Sequence, residues 1–356
     1  MRELFLENVL LQLVLLLLID LYIYTSVFRT TRNFRPAVRR AIRTGIWVMS
    51  ALAVAAVVWY KFSDPYYKAL SIRQWIIIGV MMIYGSKLLT IAIILIDDIQ
   101  INTRRLIRYL KARNGKEIGG KPITRSEFFD KVAIAAGFVP FVSLVNGVLS
   151  GATDYRVVRQ TIYLPGLPAS FDGIRIGQFS DTHAGTFFNK IAVRGGVELL
   201  MNEKPDVIFF TGDLVNYQTD EIDEYLDVFN KVRAPLGVFS ITGNHDYGNY
   251  RKWSSDSEKH RNFLDMIEAH KIMGYDLLMN EHRFLEAGGE RIAVIGIENW
   301  GMGPPHRFPK YGKLAEAYKG TEDAPVRLLL SHDPSHWDAQ VRPEFPDIDV
   351  MFAGHT

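Results

Sequence analysis

Acidic, amide and imidazole side chains follow five short apolar runs in the second half of this 356-residue chain. They are Asp181 and His183 after the first run, Asp213 after the second, Asn244, His245 and Asp246 after the third, His332 after the fourth and His355 after the fifth. A single Asp or His at such a place is usually a turn residue or a helix cap. Five in succession are not explained by capping, so we expect these side chains to form a common site.

The chemistry of these groups favours a metal centre. Carboxylate oxygens, imidazole nitrogens and one amide oxygen, in a chain without cysteine, suit Mn, Fe, Zn or Mg better than thiophilic ions. The ligands are too many for one tetrahedral ion. Two divalent metal ions about 3.5–4 Å apart that share a carboxylate account for them better, and such a pair binds phosphate oxygens and activates water.

These side chains need a sheet whose strand ends meet. Apolar runs predict strands covered on both faces, and apolar residues at three- and four-residue spacing predict amphipathic helices. The strands are predicted at 174–180, 206–212, 237–243, 291–297, 326–331 and 348–354, and the helices at 189–204, 220–232 and 257–274. The alternation predicts a layered α/β domain, a sheet core flanked by helices, with ligands beyond the carboxyl ends of the strands.

The motifs SDTH, TGDLV, TGNHD, SHDP and AGHT, in this order between residues 164 and 356, resemble those of the calcineurin-like metallophosphoesterase family. The resemblance implies that family's fold, two divalent ions and hydrolysis of phosphate esters. It implies these ligands: Asp181 and His183 for the first ion, Asp213 bridging both, and Asn244, His332 and His355 for the second.

The resemblance also implies a role for His245 that is separate from metal binding. This imidazole would contact the phosphate and protonate or stabilise the leaving oxygen, with Asp246 orienting it. A metal-bound imidazole has no lone pair left for acid–base work, so a separate His is needed. In the family the last motif continues two residues past His355 with another His ligand and then further strands. Because the sequence stops at Thr356, we expect a longer natural product and a C-terminally incomplete domain.

Other side chains near these motifs have weaker signals. Phe187, Phe188 and Trp300 either line the mouth of the crevice or pack in the core. His336 either faces the substrate or lies on a helix surface, and the helix surface is the favoured interpretation. The remaining histidines away from strand ends are interpreted as structural: His260, His270 and His282.

The first 152 residues predict a four-helix transmembrane domain. Four apolar segments, at 9–28, 45–60, 75–96 and 132–151, approach the length of about 20 residues that crosses a bilayer. Pro140 interrupts the fourth segment, for which a buried or interfacial helix is the alternative.

Arg and Lys concentrate in the loops after the first and third segments, which places those loops in the cytoplasm. We therefore predict a multi-pass protein of the cytoplasmic (inner) membrane. A connector at 153–170 would lead to an extracytoplasmic catalytic domain at 171–356.

Two ionisable residues, Asp20 and Lys87, lie at matching depths within predicted spans. A charge at mid-bilayer is costly unless it is paired, so we predict an ion pair between them. A transport or proton-relay role is the alternative.

The sequence thus predicts a membrane-anchored phosphoesterase that hydrolyses a phosphomonoester or phosphodiester. A lipid-linked phosphate or cell-envelope precursor is the candidate substrate, and membrane lipid is the expected surrounding. The net charge is only +2, and the Lys and Arg residues are spread between apolar runs and not clustered on one folded surface. No nucleic-acid partner is therefore predicted. A non-catalytic membrane sensor or scaffold with a metal-binding domain is the alternative function, and a transporter with a soluble appendage is a third.

Overall fold

A computed structural model of the chain describes residues 2–32, 34–62, 70–113, 127–303 and 310–355. The chain divides into two compact units, Met1–Ala152 and Thr153–Thr356. The described residues of the first unit lie mostly in four helices, α1 at Arg2–Thr30, α2 at Pro36–Phe62, α3 at Leu70–Arg113 and α4 at Glu127–Ser150.

Three stretches of the described residues are long and apolar enough to cross a membrane: Val9–Phe28, Pro36–Phe62 and Trp75–Leu110. The fourth predicted span, at 132–151, corresponds to a shorter apolar stretch, Ala135–Gly147, within α4. Helix α4 continues through Pro140, so the proline does not end it. Helices α2 and α3 extend beyond the predicted spans at 45–60 and 75–96 and include the charged residues that flank them.

The predicted ion pair inside the first unit is present. The Lys87 ammonium lies 2.6 Å from Asp20 Oδ1 and 3.2 Å from Ser50 Oγ, and the Tyr84 hydroxyl donates to Asp20 Oδ2 at 3.0 Å. The Asp20 side chain is only 2% exposed. A buried carboxylate costs free energy unless its oxygens are paired. Here two side chains of α3, Tyr84 and Lys87, bind a carboxylate of α1, and Ser50 of α2 accepts a hydrogen bond from Lys87.

The second unit contains two four-stranded sheets. The strands are β1 at Ile176–Phe179, β2 at Val207–Phe210, β3 at Val238–Ser240, β4 at Asp276–Leu277, β5 at Glu281–Ala287, β6 at Glu290–Gly296, β7 at Arg327–Leu330 and β8 at Val350–Phe352. One sheet has the order β1-β2-β3-β4 and is parallel throughout. The other has the order β5-β6-β7-β8, in which only β5 is antiparallel to its neighbour.

Among the described residues, five α-helices surround these sheets: α5 at Lys190–Asn202, α6 at Leu226–Phe229, α7 at Asp256–Met273, α8 at Leu314–Tyr318 and α9 at Arg342–Glu344. The Asn189 side chain accepts a hydrogen bond from the Ala192 amide and caps α5. Ser255 caps α7 by accepting from the Glu258 amide. These caps satisfy amides that have no partner within the helix, which explains where α5 and α7 begin.

Apolar side chains join the layers in the order helix, sheet, sheet, helix. Val207 and Phe209 of β2 pack between the sheets with residues of β6 and β7. Their neighbours Ile208 and Phe210 point to the opposite face, where α7 packs. A strand buried on both faces shows no polar alternation, so the unbroken apolar sequence of β2 follows from its position between two layers.

The α/β class is as predicted, but the sheet is double. The prediction has six strands in one sheet and omits β4 and β5. Segment 220–232, predicted as one helix, is a 3-10 helix at Thr219–Tyr225 followed by the short α6. Strand β5 forms a hairpin with β6 through Gly288 and Gly289, whose φ angles are 57° and 80°. A turn with two positive φ angles is the kind that joins antiparallel strands.

Candidate metal centre

Each predicted ligand lies in the loop that follows a strand, within four residues of the end of that strand, and strands of both sheets contribute. The backbone at four of these positions is in the left-handed region, with φ of 50° at Asp181, 42° at His183, 57° at Asp213 and 60° at His355. Only six non-glycine residues in the described part of the chain have a positive φ. Such a conformation costs of order 1 kcal/mol or more per residue and is concentrated at functional sites. The loops after β1, β2 and β8 therefore share a backbone feature that only two other non-glycine residues of the described chain show, Lys204 and Asn280.

Asp213 is the centre of the cluster. Two groups of three side chains could each hold a metal ion, because within each group the ligand atoms lie within 4.8 Å of one another. Both groups contain Asp213. The first group adds His183 and His245, and the second adds His332 and His355. Asp213 Oδ2 lies 3.6 Å from His183 Nε2 and 3.2 Å from His332 Nε2. The other oxygen, Oδ1, accepts from the His245 amide at 2.8 Å. One carboxylate oxygen therefore faces both groups.

The imidazole of His332 shows that this position favours a positive charge. Its Nδ1 lies 2.7 Å from the Thr211 carbonyl, which can only accept, so Nδ1 carries the proton. In the neutral ring Nε2 then has a lone pair, and it faces the Asp213 carboxylate. Burial opposes a charge on this ring, but the bond and the charge of Asp213 outweigh burial and raise the pKa of His332 to about 9. Two lone pairs 3.2 Å apart need a proton or a cation between them, and a divalent ion meets that need.

The carboxylate shows the same balance from its own side. Burial raises the pKa of Asp213, but its hydrogen bond to His332 and the neighbouring imidazoles outweigh burial and hold that pKa below its usual value. The carboxylate is 2% exposed, so it is ionised in a buried place. An ionised, buried carboxylate needs positive charge close to it.

Two further polar atoms of predicted ligands, Asn244 Oδ1 and His183 Nδ1, are buried with no hydrogen-bond partner. Buried polar atoms without a partner are uncommon. The amide oxygen belongs to a predicted ligand, and oxygen and nitrogen donors of this kind bind borderline or hard divalent ions. The donor set therefore fits a metal centre.

The loops that carry Asp181 and His355 are tied together by the backbone. The His355 amide donates to both oxygens of Asp181, at 3.1 and 3.0 Å, and the Gly354 amide donates to the His332 carbonyl at 2.9 Å. A Cβ at Gly354 would collide with the Ser180 hydroxyl and the Asp181 carboxylate. The glycine therefore allows the loop after β8 to reach the loop after β1.

His245 is oriented by Asn216 and not by Asp246. Its Nδ1 lies 2.7 Å from the Asn216 carbonyl, so Nδ1 carries a proton and Nε2 is left for another partner. Asn216 also donates through its side-chain amide to the His183 carbonyl at 3.3 Å. The structure therefore corrects the predicted role of Asp246 and gives the orienting contact to a backbone carbonyl.

Asp246 instead organises the loop after β2. Its fully buried carboxylate accepts from the amides of Asp213 at 3.0 Å, Leu214 at 2.8 Å and Gly243 at 2.8 Å. Burial and the nearby Asp213 raise the pKa of Asp246 to about 7, against the effect of these amides. Its oxygens are occupied by backbone donors, which is the physical reason why it does not serve the imidazole of His245.

Glu221 supports the same loop and has no motif that predicts it. Its carboxylate accepts from the amides of Asn216 at 2.6 Å and Tyr217 at 3.1 Å. Burial raises the pKa of Glu221 to about 7. Glu221 thus holds the residue whose carbonyl holds His245.

The aromatic side chains near the site pack in the core where the structure gives their contacts. Phe187 packs edge-on against Tyr225 with ring centroids 5.0 Å apart, and Trp300 lies 4.3 Å from the ring of His336. His336 is fully buried and binds Ser331 through Nδ1 at 2.9 Å, so its predicted place on a helix surface is wrong. Phe188 is 45% exposed.

Comparison with known proteins adds two family matches. The family model described as "Calcineurin-like phosphoesterase" matches residues 174–356. A second model, described as "Probable Calcineurin-like phosphoesterase, transmembrane domain", matches residues 2–152. Together these matches cover both units of the chain.

Curated relatives carry the same two kinds of description. A "Transmembrane protein with metallophosphoesterase domain" from Danio rerio is 27% identical over 67% of this chain and 54% of that protein. The "Uncharacterized metallophosphoesterase YkuE" from Bacillus subtilis is 26% identical over 61% of this chain and 73% of that protein. The match spans about half the length of the Danio rerio protein. Among solved structures, a phosphopantetheinyl hydrolase from Mycobacterium tuberculosis is 16% identical over 50% of this chain and 75% of that chain, with a TM-score of 0.27.

Proposed function

This chain belongs to the calcineurin-like phosphoesterase family, and we propose that it is a membrane-anchored, metal-dependent hydrolase of phosphate esters. The observation that carries the proposal is the position of Asp213, whose Oδ2 faces the imidazoles of His183 and His332 at once. A carboxylate shared between two imidazole groups is what a pair of metal ions requires.

The proposed ligand sets follow from this shared carboxylate. Asp181, His183 and Asp213 would hold one divalent ion, and Asp213, Asn244, His332 and His355 would hold the second. Bound there, the ions would offset the charge of the phosphoryl oxygens and lower the pKa of an attacking water.

The protein's own contribution to leaving-group departure is His245. Its Nδ1–H donates to the Asn216 carbonyl, which leaves Nε2 as the atom that meets the substrate. Burial lowers the pKa of His245, and the negative charge of a phosphate ester next to the ring raises it again. Substrate binding would thus load Nε2 with the proton that it then donates to the leaving oxygen.

The substrate and the side of the membrane belong to the same proposal. We place the protein in the cytoplasmic membrane with the second unit outside, because Arg residues are concentrated in the loop between α1 and α2 and in the adjoining first turns of α2. The substrate class we propose is a lipid-linked or cell-envelope phosphomonoester or phosphodiester, since a membrane-anchored enzyme meets such molecules. No specific contact in the described residues favours a sensor or a transporter.

The test is hydrolysis by the whole protein in detergent micelles. Chromogenic phosphomonoester and phosphodiester substrates are offered with Mn²⁺, and Asp213→Asn and His245→Asn are compared with wild type. Asn tolerates the left-handed backbone of Asp213, so the first variant changes the chemistry and leaves the loop unstrained. His260→Asn, on the exposed side of α7, is the matched control.

We expect Asp213→Asn to lose metal-dependent turnover and His245→Asn to keep metal binding while turnover falls by about 10²–10⁴-fold. His260→Asn should match wild type. Turnover that persists in Asp213→Asn would remove the basis of the proposal.

A further inference from the structure

The loop after β3 turns back so that Tyr250 contacts Asn244 and His245 of the same loop. The Tyr250 hydroxyl accepts from Asn244 Nδ2 at 2.6 Å. The ring of Tyr250 is stacked on the imidazole of His245, with centroids 4.1 Å apart and planes 15° apart. One side chain therefore contacts a proposed metal ligand and the proposed leaving-group acid.

The Tyr250 hydroxyl contacts the NH₂ end of the Asn244 amide and leaves the oxygen end available to a metal ion. An Asn amide can turn by 180° and exchange its oxygen for its nitrogen, and only the oxygen binds a cation. Asn244 is 2% exposed, so its NH₂ group cannot turn to bulk water and needs an acceptor in the protein. The Tyr250 hydroxyl is that acceptor, and it leaves Oδ1 buried with no hydrogen-bond partner.

The ring of Tyr250 limits the orientation of the His245 imidazole. The Asn216 carbonyl holds that imidazole at Nδ1, and the His183 ring meets it edge-on at 4.8 Å and 87°. The stacked Tyr250 covers one face and restrains rotation about the Cβ–Cγ bond of His245.

The loop is built to keep Tyr250 in this position. The Trp253 indole, three residues after Tyr250, donates to the Gly248 carbonyl at 2.7 Å. The Arg251 guanidinium lies 4.0 Å from the centre of the Trp253 ring. Just before Tyr250, Asn249 accepts a hydrogen bond through Oδ1 from the Lys259 ammonium of α7 at 2.5 Å. These contacts anchor the loop before and after Tyr250.

We propose that Tyr250 is a positioning residue with two separable roles: its hydroxyl presents Asn244 Oδ1 to a divalent ion, and its ring holds His245. The second role rests on the proposed function. The first requires only that the centre binds a divalent ion, so the two can be tested apart. Tyr250→Phe removes the hydroxyl and keeps the ring, whereas Tyr250→Leu removes both.

The first experiment measures metal affinity without turnover. The full chain in detergent micelles is stripped with a chelator and titrated with Mn²⁺ by calorimetry and electron paramagnetic resonance. Tyr250→Phe should weaken Mn²⁺ binding by about 10–100-fold, as loss of a contact behind a metal ligand does. Tyr275→Phe is the matched control, because the Tyr275 hydroxyl makes a buried bond to the Phe229 carbonyl at 2.9 Å in the core. It should lower stability and leave Mn²⁺ affinity unchanged.

The second experiment separates the ring from the hydroxyl. At saturating Mn²⁺ the kcat of Tyr250→Phe should return to within about 3-fold of wild type, because excess metal offsets weaker binding while the ring still holds His245. Tyr250→Leu should stay about 10²-fold down in kcat at any Mn²⁺ concentration, with KM little changed, because a displaced acid misses the leaving oxygen.

The outcomes distinguish this inference from the proposed function. Wild-type protein that binds Mn²⁺ without hydrolysing any ester, together with weaker binding by Tyr250→Phe, supports the hydroxyl role and overturns both the ring role and the proposed function. Mn²⁺ affinity in Tyr250→Phe equal to wild type overturns the hydroxyl role, as does wild-type protein that binds no Mn²⁺. Equal kcat in Tyr250→Leu and Tyr250→Phe at saturating Mn²⁺ overturns the ring role.

Discussion

His270 of α7 offers a sharp test of the physical reasoning, because it is a buried histidine with no hydrogen bond. It is fully buried, neither ring nitrogen has a partner, and its ring lies among apolar neighbours such as Phe210, 5.8 Å away. Burial lowers its pKa from 6.5 to about 3. We expect His270→Leu to stabilise the second unit, since the change removes unpaired polar atoms from the core at similar volume.

The magnitude depends on pH, with a definite sign. The pKa of the folded state lies below that of the unfolded state, so the full stability is present above pH 6.5 and is lost as the pH falls towards 3. Each pH unit in this window costs wild type about 1.4 kcal/mol. At pH 7.5 His270→Leu should be about 1–3 kcal/mol more stable, from the burial cost of an unpaired polar group. At pH 5.0 the advantage should grow by about 2 kcal/mol.

The assay is chemical denaturation of the full chain in detergent micelles at pH 5.0, 6.0 and 7.5, followed by intrinsic fluorescence. Other titrating groups are common to both proteins and cancel in the difference. His260→Leu, which changes an exposed histidine of the same helix, should show the pH dependence of wild type. If the difference between His270→Leu and wild type is the same at every pH, the reasoning about a neutral buried ring is wrong.

Three further predictions concern other parts of the molecule. As the pH rises from 4.5 to 7, wild type should lose about 1.4 kcal/mol of unfolding free energy per pH unit, because the pKa of Glu221 in the folded state is about 7. Glu221→Gln should abolish this loss, and denaturation at these pH values checks it. Asp20→Asn should cost the first unit about 3–5 kcal/mol, and adding Lys87→Met should recover much of it, as thermal unfolding in micelles will show. Gly354→Ala should weaken Mn²⁺ binding by about 10-fold or more, because the added Cβ collides with the Asp181 carboxylate; calorimetry measures this, and unchanged affinity would contradict the proposed ligand loop.

The site could be predicted further than the fold around it. The ligand types are legible because each follows an apolar run directly, and Asp213, His332 and His355 do fall in one group. Strand β5 escapes prediction because it carries charged residues at three of its seven positions (Glu281, Arg283 and Glu286) and lacks the unbroken apolar sequence of a covered strand. The Gly288–Gly289 pair before β6 is the turn signal that could have revealed the hairpin.

The residues that support the site could not be predicted from spacing. Asn216 acts through its backbone carbonyl, Tyr250 through its hydroxyl and ring, and Glu221 through its carboxylate. Each of these contacts depends on where a loop turns. Asp246 illustrates the same limit, because adjacency in sequence to His245 suggested a contact that its bonds to the amides of Leu214 and Gly243 preclude.

The sequence by itself determined the apolar helices of the first unit, the α/β class of the second and the identity of the proposed ligands, because hydrophobic periodicity and side-chain chemistry are local properties. Only the tertiary structure decided that two sheets pack face to face, that one oxygen of Asp213 faces two imidazoles, and that Asn216 and Tyr250 hold His245. These depend on distances between strands far apart in the chain, which are set by how the layers pack and not by any local pattern.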